Sequence, residues 1–384
     1  MNALAERIAR LIAAQGPLSV AQFMAMALYD PQDGYYAARD PLGAAGDFIT
    51  APDVSQMFGE LLGLWIVQAW RDQGQPSPAR LVELGPGRGT MMADALRAAR
   101  ADPDFLAAIK VVLIEASPRL RTLQAETLKK SPSPPRSGGE GRGLSRRSSE
   151  AAKPGEGVGP PIRWIDHFDE SSMDRPLFLL ANEFFDALPI RQFVMSGGAW
   201  HERMVALDDK GALAFALSPE SRPLDISTAR GVPENGAVYE VSTAREAIVE
   251  QIANAVAHKG GAALIVDYGY SEGAGFGETL QAVSEHKFAS ILEAPGEADL
   301  SSHVDFAALA QAAKRAGATA YGPVEQGTFL CDLGIVQRAE TLSRNRLQSM
   351  EDQLNRLILP EEMGTLFKAL AIVPKGAAAP PGLT

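Results

Sequence analysis

Residues 180–190 read LANEFFDALPI. Asn182, Glu183 and Asp186 place an amide and two carboxylates within five residues, where an apolar run ends. Pro189 stops what precedes it. Acids so placed can hold a cation, take up a proton and engage a planar guanidinium through paired hydrogen bonds. Glu183 and Asp186 are therefore the first catalytic candidates. Phe184 and Phe185 between them can wall a pocket or simply fill the core.

A second segment, LVELGPGRGT at Leu81–Thr90, joins an apolar run to a helical pattern that starts near Thr90. Gly85, Gly87 and Gly89 allow a tight turn and close approach of backbone to a ligand. A phosphate-binding loop of the Gly-Lys-Ser/Thr type needs a lysine that is absent here. A dinucleotide site prefers glycine at the sixth position, where this chain has Thr90. The third reading is an S-adenosylmethionine (SAM) loop of the form acid-x-Gly-x-Gly-x-Gly, with Glu83 as the acid. Glu115 ends the next apolar run and can accept from ribose hydroxyls, for a nicotinamide cofactor or for SAM. Asp166 ends a third run and can accept from an adenine amino group. Asn182, at its strand end, joins the cofactor-facing set. His303, in DLSSHVDF, is a candidate base or hydrogen-bond partner in the acceptor pocket, although Ser301, Ser302 and Asp305 also suit a helix cap. Tyr268 and Tyr270, in VDYGY, can line the same space.

These residues need a frame. ARLVEL, IKVVLIEA, IRWID, PLFLLAN and GGAALIVDYG are apolar throughout, as strands of a parallel sheet covered on both faces should be. Helical patterns lie between the first two, so the fold class is α/β, doubly wound and Rossmann-like. Residues 1–78 form an N-terminal helical region that carries a Gly/Pro/Asp-rich candidate site loop at 30–55. Residues 79–374 form the core. Within it, 131–160 is Ser/Pro/Gly-dominated and expected to be disordered, 191–235 reads as an inserted antiparallel β segment, and 329–370 reads as helices before a closing apolar run. Residues 375–384 read as a flexible tail.

Composition narrows the classes. The 384 residues carry a net charge of -11, which argues against nucleic-acid binding. No apolar run approaches the length of a membrane span. Cys331 is the one cysteine, consistent with a reducing compartment. The five histidines show no metal-ligand spacing, so no metal is expected. MNALAERIARLIAAQG reads as a surface helix, and a transit peptide is disfavoured by Glu6 and the lack of serine.

GDFITAPDVSQMFGELLG, VELGPGRGTMMAD, ANEFFDALPIRQF, LIVDYGY and DLSSHVDFAALA occur in this order. Together they resemble the MidA family of SAM-dependent methyltransferases. The likeness covers nearly all the chain outside 131–160. The glycine motif is generic to class I methyltransferases, whereas NEFFDALP together with GDF is far more specific. The resemblance implies a class I methyltransferase fold and SAM as cofactor. It implies symmetric dimethylation of an arginine in a protein substrate, a respiratory complex I subunit in eukaryotes. It carries the glycine-loop role to Gly85, Gly87 and Gly89 and the acidic segment to Glu183 and Asp186. A bacterial cytoplasm, or the mitochondrial matrix in a eukaryote, is the expected location, and a homodimer is allowed. A small-molecule acceptor held by Asn182 and a non-catalytic assembly factor that keeps the fold both stay open.

Overall fold

Seven strands make up most of one sheet. In chain order they are β1 (Ala79–Leu84), β2 (Ile109–Ile114), β3 (Ile162–Ile165), β4 (Leu177–Asn182), β5 (Gly261–Tyr270), β6 (Ala318–Glu325) and β7 (Phe367–Pro374). The coordinates are a computed structural model that describes residues 2–38, 49–130, 160–226, 229–343 and 347–383. The sheet order is β3-β2-β1-β4-β5-β7-β6. The first five strands run parallel, and β7 is antiparallel to both of its neighbours. Strand order reverses between β1 and β4. In open α/β sheets that reversal opens a crevice outside the strands' carboxyl ends. Glu83 lies in register with Leu180, and Leu84 with Ala181. The glycine loop and the NEFFDALP turn therefore leave the sheet side by side.

Both faces are covered, which is why the strands are apolar on both sides. One face packs under α3 (Gln56–Asp72) and α4 (Thr90–Ala98), with the helices that follow β6. The other packs under α6 (Thr243–Lys259) and α7 (Phe306–Arg315). Between them in sequence, α5 (Pro118–Lys130) links β2 towards β3. Polar side chains fix several helix starts. Ser242 accepts from the Arg245 amide at the head of α6, and Asp305 accepts from the Ala308 amide at the head of α7. Asp305, rather than Ser301 or Ser302, is thus the cap in DLSSHVDF.

A short eighth strand, Val304–Asp305, pairs parallel with the end of β5, and the other strands form two antiparallel sheets. Arg191–Ser196, Ala199–Leu207, Leu213–Ser221 and Val238–Val241 pair with one another, and Leu18–Ser19 adds a short edge. Gln281–Ser284, Lys287–Ala289 and Asp299–Ser301 form the second. The helices α1 (Ala3–Gln15) and α2 (Val20–Tyr29) share one apolar core with both of these sheets. The N-terminal region is thereby built into the antiparallel part.

Three expectations need correction or placement. Residues 375–383 are not a flexible tail: Leu383 is buried, and the Pro381 carbonyl accepts from Trp65 Nε1 at 3.1 Å. Burial of one leucine and a satisfied indole offset the entropy of ordering them. The 329–370 stretch gives way to β7 at Phe367, after helices that end at Ile358 and a short π-helical turn at Pro360–Gly364. The 131–160 segment lies outside the described residues except for Pro160, as do residues 39–48 of the 30–55 loop.

Candidate functional site

A cavity opens where the sheet order reverses. It is lined by Thr50, Pro52 and Asp53, by Glu83 and the loop Gly85–Arg88, by Thr90 and Met91, and by Asn182 and Glu183. Gly85, Gly87 and Gly89 all have φ between +52° and +80°. L side chains rarely adopt that region, so the loop's shape demands these glycines. A Cβ on Gly85 would also lie 2.8 Å from the Phe184 ring, which packs over the loop. Phe184 packs against the glycine loop, while Phe185 is core.

Two buried acceptors in the cavity lack partners: Glu83 Oε2 and Asn182 Oδ1. Burial pushes the Glu83 carboxyl up to about 8. An unpartnered buried carboxylate is costly unless something cationic meets it. Glu183 stands across from it. Its φ is +48°, uncommon for a residue with a side chain. Its amide donates to the Val266 carbonyl at 3.0 Å, and its Oε1 accepts from the Ala51 amide at 3.0 Å and Asn182 Nδ2 at 2.9 Å. Burial, with the nearby Asp186 charge adding to it, raises this carboxyl to about 7 despite those bonds. No helix starts at this segment, so its acids are not helix-end decoration.

Asp186 does not open onto the cavity beside Glu183. It is buried behind the turn, where Oδ2 accepts from the Tyr268 hydroxyl at 2.9 Å and Oδ1 has no partner. Burial raises its pKa as well. The expected open pair of acids is therefore one cavity acid backed by one buried acid. Below them, Asp267 Oδ2 accepts from the amides of Phe185 and Asp186 at 2.9 and 3.2 Å.

The other candidates divide. Glu115 does not line the cavity but is tied to it: Gln124 Nε2 donates both to Glu115 Oε2 at 3.1 Å and to the Gly87 carbonyl at 2.8 Å. Trp164 Nε1 in turn donates to Gln124 Oε1 at 2.8 Å. Asp166 is exposed and ion-paired with Arg121, so it stands outside the cavity. His303 is separated from it too. Its ring packs on Tyr268 and Tyr270, with centroids at 5.5 and 5.2 Å, and faces a second cavity under α6 and α7. Burial lowers its pKa, which keeps it neutral. Gln124, Asp267 and Arg245 were missed from the sequence. Only the position of Asp267, directly before Tyr268 in the VDYGY motif, could have signalled one of them. No group of three or more His, Cys, Asp or Glu that could hold a metal occurs among the described residues.

The model of a family of S-adenosyl-L-methionine-dependent methyltransferases matches residues 61–324. The chain belongs to this family. The MidA resemblance holds, and SAM is the cofactor of this methyltransferase. Protein arginine methyltransferase NDUFAF7, mitochondrial, of Danio rerio is 38% identical over 383 residues, covering 97% of this chain and 87% of its own length. The Homo sapiens protein of the same name is 36% identical, covering 94% and 81%. A superfamily member from Burkholderia thailandensis, crystallised with S-adenosyl-homocysteine, is 27% identical with a TM-score of 0.80, covering 99% of this chain and 94% of its own. The sheet order and the antiparallel β7 are those of a class I methyltransferase-like fold.

Proposed function

We propose that this methyltransferase modifies an arginine side chain of a protein substrate, with Glu183 as the group that meets the guanidinium. The observation that carries this reading is Glu183 itself: a carboxyl in a left-handed turn that lines the same cavity as the glycine loop. The relatives named protein arginine methyltransferases support the same acceptor.

The bound cofactor supplies a methyl group made electrophilic by a sulfonium. The chain's own residues do the rest. Gly85, Gly87 and Gly89 leave room for close backbone approach. Glu83 and Asn182 present the partnerless acceptors that suit a cationic ligand. We assign the ribose hydroxyls to Glu115, which Gln124 ties to the Gly87 carbonyl of the loop. Glu183 can hold two guanidinium nitrogens through paired hydrogen bonds, fixing the third for attack. It then accepts a proton from one of the nitrogens it holds, so that the methylated guanidinium keeps a single positive charge, a task suited to a carboxyl raised to about 7. Asp186 adds negative charge behind it without touching the acceptor. We read 191–235 as an insertion that shapes the substrate side. We also propose that methylation proceeds to the symmetric dimethyl product on a complex I subunit, in the bacterial cytoplasm or the mitochondrial matrix according to the host.

Transfer of radiolabelled methyl groups to arginine peptides, with mass spectrometry of the product, tests this. The neutral isostere Glu183→Gln should lower turnover by at least about a hundredfold while SAM binding by calorimetry persists, in keeping with the usual scale of a lost general base. Wild-type turnover should rise with pH through about 7, as Glu183 ionises. Full activity in Glu183→Gln, or methylation only at other residue types, would overturn the assignment.

A further inference from the structure

Arg245 lies on α6, far in sequence from every motif, and is buried. Its guanidinium makes five hydrogen bonds, and four of them end on backbone carbonyls. Nε donates to Phe185 O at 2.7 Å, and Nη1 to His303 O at 2.6 Å. Nη2 donates to Asp186 O at 2.9 Å, to Ser302 O at 3.1 Å and to Ser302 Oγ at 2.7 Å. The two segments it joins are the NEFFDALP turn and the DLSSH segment, which also meet directly through Ser302 N and Asp186 O at 3.1 Å.

Four of these five bonds go to main chain although two buried acids lie close by. The nearby carboxylates of Asp186 and Asp267 offset its charge through space, and no side-chain salt bridge to either is formed. Asp267 acts on the opposite side of the same turn, accepting the Phe185 and Asp186 amides. The turn's carbonyls are thus gripped by a guanidinium and its amides by one carboxyl oxygen of Asp267. Two residues upstream sits Glu183, whose left-handed backbone costs roughly 1–3 kcal/mol and persists only where surrounding structure over-determines it.

We propose that Arg245, with Asp267, is a positioning residue that clamps the 183–188 turn, so that Glu183 is presented to the cavity in a strained but fixed geometry. The clamp concerns methyl transfer as such. It rests on Glu183 being the working acid and not on the acceptor being arginine. Arg245 touches neither cofactor nor acceptor in this account. Lysine cannot replace it, because one ammonium cannot reach carbonyls spread around a planar fork.

Hydrogen exchange on the full chain tests this without any acceptor. In Arg245→Met, amides of Phe185–Leu188 and Ser302–His303 should lose at least about tenfold of their protection. Amides of β1 and α4 should keep theirs, because only the turn is released. SAM affinity by calorimetry should change less than about threefold, since the glycine loop is untouched. With an arginine peptide as acceptor, kcat should fall at least about tenfold with KM for SAM preserved, and Arg245→Lys should not restore it. Protection lost evenly over the sheet, binding lost in parallel with turnover, or full kcat in the folded variant would each overturn the clamp. If Arg245→Met does not fold, Ser302→Ala removes one of the five bonds and no charge. It should reproduce the same local pattern at about threefold, and unchanged exchange there would also sink the proposal. If the wild type fails to methylate the peptide, the arginine reading falls, and the exchange pattern still decides the clamp.

Discussion

At the scale of single residues, burial rather than pairing sets the chemistry of the site. Glu83 carries an unpartnered oxygen and a pKa of about 8. In the unfolded chain its carboxyl ionises near 4.5. Between those values the folded chain holds a proton that the unfolded chain has lost. Folding stability must then fall as pH rises across that window. Glu183 adds a contribution of the same sign up to about 7. Glutamine mimics the neutral acid, so Glu83→Gln should melt near the wild-type temperature at pH 5 and several degrees above it at pH 8.5. Thermal melts of both chains at the two pH values check this, and equal melting at pH 8.5 would mean that Glu83 finds a partner in solution. Glu83, Asn182 and Glu183 were legible because a short motif puts them at strand ends. Arg245, Gln124 and the role of Asp267 were not. Their partners lie tens of residues away, and no local pattern marks an arginine in α6 as a ligand of two distant turns.

At the scale of elements, the position of the glycine loop depends on how closely α3 meets α4, the helix the loop feeds. Gly59 and Gly63 lie one turn apart on α3 and face it. A Cβ on Gly63 would sit 2.5 Å from Ala95 Cα and 2.7 Å from the Ala95 carbonyl oxygen. Both obstacles are backbone, which cannot rotate aside. Alanine gains roughly 0.5–1 kcal/mol of helix propensity over glycine, but overpacking a tight contact costs roughly 1–3 kcal/mol. The clash should win. Gly63→Ala should therefore lower stability in urea unfolding by roughly 0.5–2 kcal/mol, the difference of those two ranges, and weaken SAM binding by shifting α4. A stabilised variant would show that the two helices can part without cost. The first five strands and the closing one were readable because they are continuous apolar runs. β6 was not, because Gly322 and Pro323 interrupt ATAYGPVE and its register with β7 slips there. The small sheet at 281–301 was missed as well: its strands are only three or four residues long.

At the scale of the molecule, the C-terminus closes the face of the sheet that α3 covers. Leu383 is 2% exposed and belongs to the same core as Trp65 and Phe329. Trp65 Nε1 and the Tyr321 hydroxyl spend their donors on the tail carbonyls of Pro381 and Ala377, at 3.1 and 2.8 Å. The sequence hid this because AAAPPGLT has the composition of a loose end, and one leucine at its tip carries the burial. Leu383→Ala should cost roughly 2–5 kcal/mol, the range for emptying a packed leucine site. Deleting residues 376–384 should cost more, since it also leaves a buried indole N–H without an acceptor. None of these tail contacts involves a residue lining the cavity at the glycine loop. Both variants should consequently melt earlier yet bind SAM with wild-type affinity well below their melting temperatures. Calorimetric scans and titrations separate the two effects. A truncated chain that melts like the wild type would mean the tail's packing contributes nothing. One that stays folded but no longer binds SAM would mean that α3 carries strain from the tail through to the glycine loop.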